Sequence, residues 1–130
     1  MKIKYKVSVP QIGKLEIKYV TFALKKNEIS GFYGRYIGKF EKQFSQFCNT
    51  KFAVSVNSGT TALHLGLLAV GIKEGDEVIV SSLTNMATIF AILYIGARPV
   101  IVDIESKTFN IDTNQIEKKI SKKTKALLIV

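Results

Sequence analysis

The chain has 130 residues, of which 47% are apolar, and this is enough for one domain with a hydrophobic core. No apolar run reaches the roughly 18–20 residues that span a bilayer, and the basic stretch MKIKYKVSVP lacks the apolar centre of a secretory signal. A single cysteine, Cys48, excludes an internal disulfide framework and a cysteine-rich metal site. We therefore expect a cytoplasmic protein with no metal site, in which Cys48 is a partly buried thiol.

The net charge of +9 raises nucleic acid as a partner, but the charge is unevenly placed. Residues 1–51 hold eleven basic and three acidic residues (+8), whereas residues 52–130 hold eight and seven (+1). The basic excess is scattered lysine without the pattern of an RNA-binding sheet, a zinc finger or an arginine-rich segment. We interpret it as a solvated surface and expect neither a nucleic-acid partner nor a membrane partner.

Residues 1–51 are expected to form an N-terminal segment with an extended arm, two helices and a glycine-rich loop. The arm covers residues 1–10 and ends at Pro10, because proline disfavours helix in the residue before it. Apolar spacing predicts a short helix over residues 14–26 and a second helix from about Ile37. Between them, three glycines allow positive φ angles or a close backbone approach: Gly31, Gly34 and Gly38. On the second helix, apolar residues three or four apart predict one core-facing side: Ile37, Phe40, Phe44 and Phe47.

The stretch FAVSVNSGTTALHLGLLAVG, residues 52–71, is the candidate binding element. Its composition predicts a strand over residues 52–56, a polar turn over residues 57–60 and an apolar helix that ends at Gly71. A turn of this kind presents free backbone N–H groups and the positive end of a helix dipole, which suits an anion such as a phosphate. The alternative is that Ser58 or Thr60 merely caps an ordinary helix.

The rest of the chain alternates strands with helices. Strands are predicted over Glu77 to Val80, Pro99 to Val102 and the final TKALLIV, and the helices between them end at Gly96 or begin at a cap on Asp112 or Thr113. Such alternation predicts a parallel sheet, in which ligands bind at the carboxyl ends of the strands. The residues that follow strand ends should gather there: Asn57 to Thr60, Ser81 to Asn85, and Asp103. Because the sequence stops on a strand, we expect a fragment, with residues 52–130 as the first part of an α/β domain.

Taken together, four segments resemble the N-terminal third of the DegT/DnrJ/EryC1/StrS family of sugar aminotransferases. They are ISGFYGRYIGKFEKQFSQF, KFAVSVNSGTTALHLGLLAVGIKEGDEVIVSS, ATIFAILYIGARPVIVDIESKTFNID and TKALLIV. Their order and spacing agree from about Val9 to Val130. The resemblance implies an α/β fold of the fold-type I pyridoxal phosphate class, with a partial parallel sheet, helices on both faces and a mainly helical N-terminal segment.

The resemblance also implies a reaction, which is transfer of an amino group from glutamate to a keto sugar linked to a nucleotide. The products serve surface polysaccharide or amino-sugar synthesis. By resemblance, the cofactor is expected to be pyridoxal 5′-phosphate, with its phosphate held by Ser58, Gly59 and Thr60. The resemblance also implies an active site at a homodimer interface, towards which the glycine-rich loop over residues 31–38 is expected to reach.

At one position the chain departs from the family pattern. Asn85 stands where an aromatic residue usually stacks on the cofactor ring, so it either covers that ring or caps a helix without a ligand. This departure keeps open a sugar dehydratase or an inactive paralogue of the same family. A non-catalytic α/β phosphate-binding module is the alternative from another class.

No catalytic residue is nominated within these 130 residues. By resemblance, the aspartate that pairs with the ring nitrogen and the lysine that forms the Schiff base lie beyond Val130, so the fragment alone should be inactive. Asp103 is expected to be structural and His64 to be a packed core side chain. Solvated positions are expected for Lys118, Lys119, Lys122, Lys123 and Lys125.

Overall fold

The structure, a computed structural model, describes residues 8–130 and divides into two compact units, one that ends at Ser55 and one that comprises Val56–Val130. Of the extended arm expected over residues 1–10, residues 1–7 lie outside the described residues. Residues 8–10 belong to neither a helix nor a strand. Among residues 8–130, no helix is both long and apolar enough to cross a bilayer.

The first unit contains two helices, α1 (Lys14–Lys25) and α2 (Tyr36–Phe47), at the predicted positions. The N–H of Gly13 donates to the Glu16 carboxylate at 2.7 Å, which helps to start α1. In the loop between the helices, Gly34 is required by a close backbone approach. A Cβ there would lie 2.6 Å from the carbonyl oxygen of Ser30. The expected glycine-rich loop is therefore present, although Gly38 lies inside α2.

The prediction that the α2 phenylalanines form a core is wrong within the described part of the chain. Phe40 and Phe44 are exposed, and Phe47 is 87% exposed. Neither α1 nor α2 contains a buried residue, because two short helices cannot enclose an apolar face by themselves. Cys48, expected to be partly buried, is exposed at the end of α2.

The prediction of a strand over residues 52–56 is also wrong. These residues form no ladder with any described strand, and Phe52 and Val54 remain 75% and 72% exposed. The backbone N–H of Ser55 donates instead to the Glu41 carboxylate at 2.8 Å, and the Ser55 hydroxyl donates to the same oxygen at 2.9 Å. A strand-like composition is therefore not sufficient here, because a strand needs a neighbour to accept its hydrogen bonds.

The second unit alternates helices and strands as predicted. Its elements are α3 (Gly59–Ala69), β1 (Glu77–Ser81), α4 (Met86–Leu93), β2 (Arg98–Val102), α5 (Thr113–Lys119) and β3 (Thr124–Leu128). The strands form a parallel sheet in the order β2-β1-β3, with Ile79 opposite Val100 on one side and opposite Leu127 on the other. Asp112 is the N-cap of α5, and its carboxylate accepts the N–H of Asn114 at 3.0 Å.

Gly71 ends α3, as the sequence predicts. Its φ of +85° is in the left-handed region, where its N–H donates to the Leu68 carbonyl at 3.0 Å. The next N–H, from Ile72, donates to the Leu67 carbonyl at 3.1 Å, and the two side chains share the hydrophobic core. This pairing is the Schellman motif, which stops a helix and fixes the direction of the chain that follows.

The core of the second unit lies between the sheet and helices α3 and α4. Val78 and Val80 of β1 pack against Leu67, Ala91 and Ile92. The next residue on β1, Ile79, is also fully buried, but its side chain points to the other face because strand residues alternate. The crossovers through α4 and α5 run in opposite directions across the sheet, so right-handed connections place these helices on opposite faces.

Candidate functional site

The candidate anion site is the turn at the start of α3. Ser58 has an extended backbone, with φ −159° and ψ 159°, and its hydroxyl accepts the N–H of Thr61 at 3.2 Å. The carbonyl of Ser58 accepts the N–H of Ala62 at 3.0 Å. The Ser58 cap that the sequence left open is therefore present, and it satisfies one of the free N–H groups at this helix start.

After this capping, two backbone N–H groups at the turn, those of Gly59 and Thr60, remain without an acceptor in the part of the chain that the structure describes. Within residues 8–130, nothing accepts a hydrogen bond from the N–H of Gly59 or of Thr60, and the Thr60 hydroxyl has no partner either. Gly59 is exposed, and a Cβ built on it would meet no heavy atom within 4 Å. Two N–H groups, an adjacent hydroxyl and the positive helix end together suit a group with several oxygens and negative charge.

Asn57, which was predicted as part of the turn but not as a ligand, and Thr61, which was not predicted there, hold this turn together. The Thr61 hydroxyl donates to Asn57 Oδ1 at 2.8 Å and lies 2.9 Å from the Ser58 hydroxyl oxygen. Because the Thr61 hydrogen is used on Asn57, the Ser58 hydroxyl donates to Thr61. Ser58 thus orients the turn, and the spacing of a cap residue and Thr61 three positions later could have indicated this network.

The second predicted site segment follows β1. Asn85 is the N-cap of α4, and its side-chain oxygen accepts the N–H of Ala87 at 2.9 Å. The Thr84 and Thr88 hydroxyls are 2.8 Å apart in the same turn. Of the two interpretations of Asn85, the helix cap is therefore observed. No hydrogen bond within the described residues joins Asn85 to the turn at Ser58, Gly59 and Thr60.

The ends of β1 and β2 are joined at the expected edge of the sheet. The Ser82 hydroxyl donates to Asp103 Oδ1 at 2.9 Å, and the N–H of Ile104 donates to the same oxygen at 2.8 Å. The Ile104 N–H and then the Ser82 hydroxyl hold the pKa of Asp103 below its ordinary value of 3.8. Asp103 therefore has the structural role that was expected.

We expect Ser82→Ala to raise the pKa of Asp103 towards its ordinary value, since one of its two donors is lost. A carboxylate whose pKa is lowered on folding adds stability above its unfolded pKa and loses it as the pH falls through the folded value. Carbon-detected NMR titration of the Asp103 carboxyl measures the change. Ser106→Ala, in an exposed turn away from this carboxylate, is the control, and equal Asp103 titration in both variants would contradict the assignment.

The prediction that His64 is a core side chain is wrong. His64 is only half-buried, because the ring it contacts edge-on at 5.8 Å, Tyr94, is itself 62% exposed. All five lysines expected to be solvated are exposed: Lys118, Lys119, Lys122, Lys123 and Lys125. Within residues 8–130, no three His, Cys, Asp or Glu side chains are arranged to hold a metal ion.

Comparison with known proteins relates this geometry to a family. The chain matches the pattern of the DegT/DnrJ/EryC1/StrS aminotransferase family over residues 10–130. It is 45% identical over 124 residues to GDP-perosamine synthase of Caulobacter vibrioides, covering 95% of this chain and 33% of that protein. The chain thus spans about a third of the length of the curated relatives it matches.

Solved structures agree with the sequence relatives. The aminotransferase from Psychrobacter cryohalolentis superposes with a TM-score of 0.85 at 33% identity, over 92% of this chain and 30% of that one. The GDP-4-keto-6-deoxy-D-mannose-3-dehydratase of E. coli, with bound hydrated PLP, gives 0.83 at 30% identity, over 99% of this chain and 34% of that one. These likenesses confirm the α/β fold that the resemblance implied. The chain therefore belongs to the DegT/DnrJ/EryC1/StrS aminotransferase family.

Proposed function

We propose that this chain is the N-terminal portion of a pyridoxal phosphate-dependent aminotransferase. The enzyme moves an amino group from glutamate to a keto sugar linked to a nucleotide, for surface polysaccharide or amino-sugar biosynthesis. It works in the cytoplasm as a homodimer. The family match over residues 10–130 and the similarity to GDP-perosamine synthase support this proposal.

The observation that carries the proposal is the pair of unbonded N–H groups at Gly59 and Thr60. They donate to the phosphate of the cofactor, the Thr60 hydroxyl adds a third donor, and Ser58 orients the turn through Thr61. When bound, pyridoxal phosphate supplies a conjugated ring that stores the electron pair released during amino transfer. The chain's own contribution is to bind and orient that group.

The test uses pyridoxamine 5′-phosphate, which has no aldehyde to condense with exposed lysines. We expect it to shift the amide NMR signals of Gly59 and Thr60 in the 130-residue chain. Pyridoxamine without the phosphate should leave these signals in place, since the turn recognises the anion. If the phosphorylated compound leaves both amides unmoved at saturating concentration, the assignment of this turn is wrong.

We further propose that Asn85 covers one face of the cofactor ring in addition to capping α4. Asn85→Phe should then bind pyridoxamine phosphate about two- to tenfold more tightly, because an aromatic contact contributes about 0.5–1.5 kcal/mol. Asn85→Ala loses the same cap, at about 0.5–2 kcal/mol of stability, without offering a ring, and is the matched control. Equal affinities of the two variants, by isothermal titration, would exclude Asn85 from the site.

Sugar dehydration is the second candidate reaction, and the likeness to the E. coli dehydratase favours it. The aminotransferase proposal expects the gene to continue past Val130 into a segment with an aspartate for the ring nitrogen and a lysine for the cofactor. The corresponding longer protein should then transfer nitrogen from glutamate to the sugar. Release of water from the sugar without incorporation of labelled nitrogen would favour the dehydratase instead.

A further inference from the structure

Three hydrogen bonds at the start of α3 form one network with Thr61 at its centre. The N–H of Thr61 donates to the Ser58 hydroxyl at 3.2 Å, this hydroxyl donates to that of Thr61 at 2.9 Å, and the Thr61 hydroxyl donates to Asn57 Oδ1 at 2.8 Å. An amide oxygen only accepts, so the network ends at Asn57. Each hydroxyl accepts one hydrogen bond and donates another, an arrangement in which neighbouring hydrogen bonds strengthen one another.

This network brackets the two residues whose N–H groups are free, Gly59 and Thr60. Asn57 and Ser58 precede these two residues and Thr61 follows them, so side chains on both sides are tied together across the free donors. Gly59 has no side chain, and a Cβ built there would meet no heavy atom within 4 Å, so packing does not restrict its backbone. The hydroxyls of Ser58 and Thr61 therefore restrict the backbone where side-chain packing does not.

We propose that Thr61 is a positioning residue for the cofactor phosphate, and that it acts through Ser58 without touching the ligand. Its hydroxyl holds that of Ser58 inside the turn, which fixes the orientation of the neighbouring N–H groups before a ligand arrives. Such preorganisation raises affinity without adding a contact, because less freedom is lost on binding. The inference rests on the proposed function, in which this turn binds the phosphate.

The test compares Thr61→Val with Thr61→Ser in the 130-residue chain, by isothermal titration with pyridoxamine 5′-phosphate. Valine has the shape of threonine and keeps the N–H that Ser58 caps, but it lacks the hydroxyl. We expect its affinity to fall about 2- to 12-fold, which is the range that one hydrogen bond between neutral groups contributes. Serine keeps the hydroxyl and should restore the affinity of the parent chain.

A double-mutant cycle separates positioning through Ser58 from a general loss of stability. Ser58→Gly removes the hydroxyl but keeps a residue that caps helices almost as well. In the Ser58→Gly background, Thr61→Val should leave the affinity nearly unchanged, because the hydroxyl through which Thr61 acts is gone. An equal loss of affinity in both backgrounds would overturn the proposal. So would tighter binding by Thr61→Val alone, since the released Ser58 hydroxyl would then contact the phosphate itself.

Thr113→Val is the matched control, because it removes an exposed threonine hydroxyl from the start of α5 and should leave the affinity unchanged. If Thr61→Val also binds as tightly as the parent chain, Thr61 has no positioning role, although the cofactor assignment stands. If the parent chain itself shows no shift of the Gly59 and Thr60 amide signals, the cofactor assignment is wrong and this inference is wrong with it.

Discussion

Replacing Gly59 with proline should weaken the binding of pyridoxamine phosphate to the proposed site by about 10- to 150-fold. The substitution removes one N–H donor, and a hydrogen bond to a charged group contributes about 1.5–3 kcal/mol. Proline is suited to this position, because Gly59 is the first residue of α3 and Ser58 before it is extended. The helix should therefore remain, and binding followed by amide NMR reports the lost donor.

Gly59→Ala is the matched control for this experiment. It keeps the N–H, and its Cβ meets no heavy atom of the protein within 4 Å. We expect its affinity to stay near that of the parent chain, with the helix content of both variants checked by circular dichroism. If the Gly59→Pro and Gly59→Ala variants bind pyridoxamine phosphate with equal affinity, the N–H of Gly59 does not contact the phosphate.

The second large effect is on stability, where Ile92→Ala should lower the free energy of unfolding of the second unit by about 2–5 kcal/mol. Ile92 is 0% exposed and belongs to the cluster that joins α4 to β1. Truncation removes buried apolar surface and leaves a cavity that a well-packed core does not close. Urea unfolding followed by circular dichroism measures the change.

Leu93→Ala supplies the comparison, because Leu93 is the next residue on α4 and is 50% exposed. Truncation of Leu93 should lower the free energy of unfolding by less than half as much as truncation of Ile92, since a half-exposed side chain buries less apolar surface. Equal destabilisation by the two substitutions would mean that α4 does not pack as the structure describes.

Most elements of the second unit could be predicted from the sequence, because their signals are local. The end of α3 could be predicted because a glycine, Gly71, follows the apolar run, and helices commonly end at a glycine in the left-handed region. The buried strand β1 follows from an apolar run after the turn at Gly75. The link between Ser82 and Asp103 follows from parallel topology, which brings strand ends together.

The wrong predictions concern features that depend on a neighbouring segment to pair with or to be covered by. A strand over residues 52–56 requires a neighbour, and here the N–H of Ser55 finds Glu41 instead. The apolar row at Phe40, Phe44 and Phe47 predicts a buried face, but composition does not say what covers it.

At the turn that starts α3, the sequence indicated the segment but not which of its residues bond within the turn and which remain free. Ser58, Gly59 and Thr60 were predicted as one group of phosphate ligands. In the structure, the hydroxyl of Ser58 is used inside the turn, whereas the N–H groups of Gly59 and Thr60 are not. Which donors remain depends on the hydroxyl of Thr61, whose hydrogen bonds the spacing alone does not specify.

The central place of β1 in the sheet sets an order of assembly. Residues 82–97 separate β1 from β2, whereas residues 82–123 separate it from β3. Closing the longer loop costs about 0.9 kcal/mol more in chain entropy. The βαβ unit of β1, α4 and β2 should therefore close first during folding, and it then provides the template on which the last strand docks.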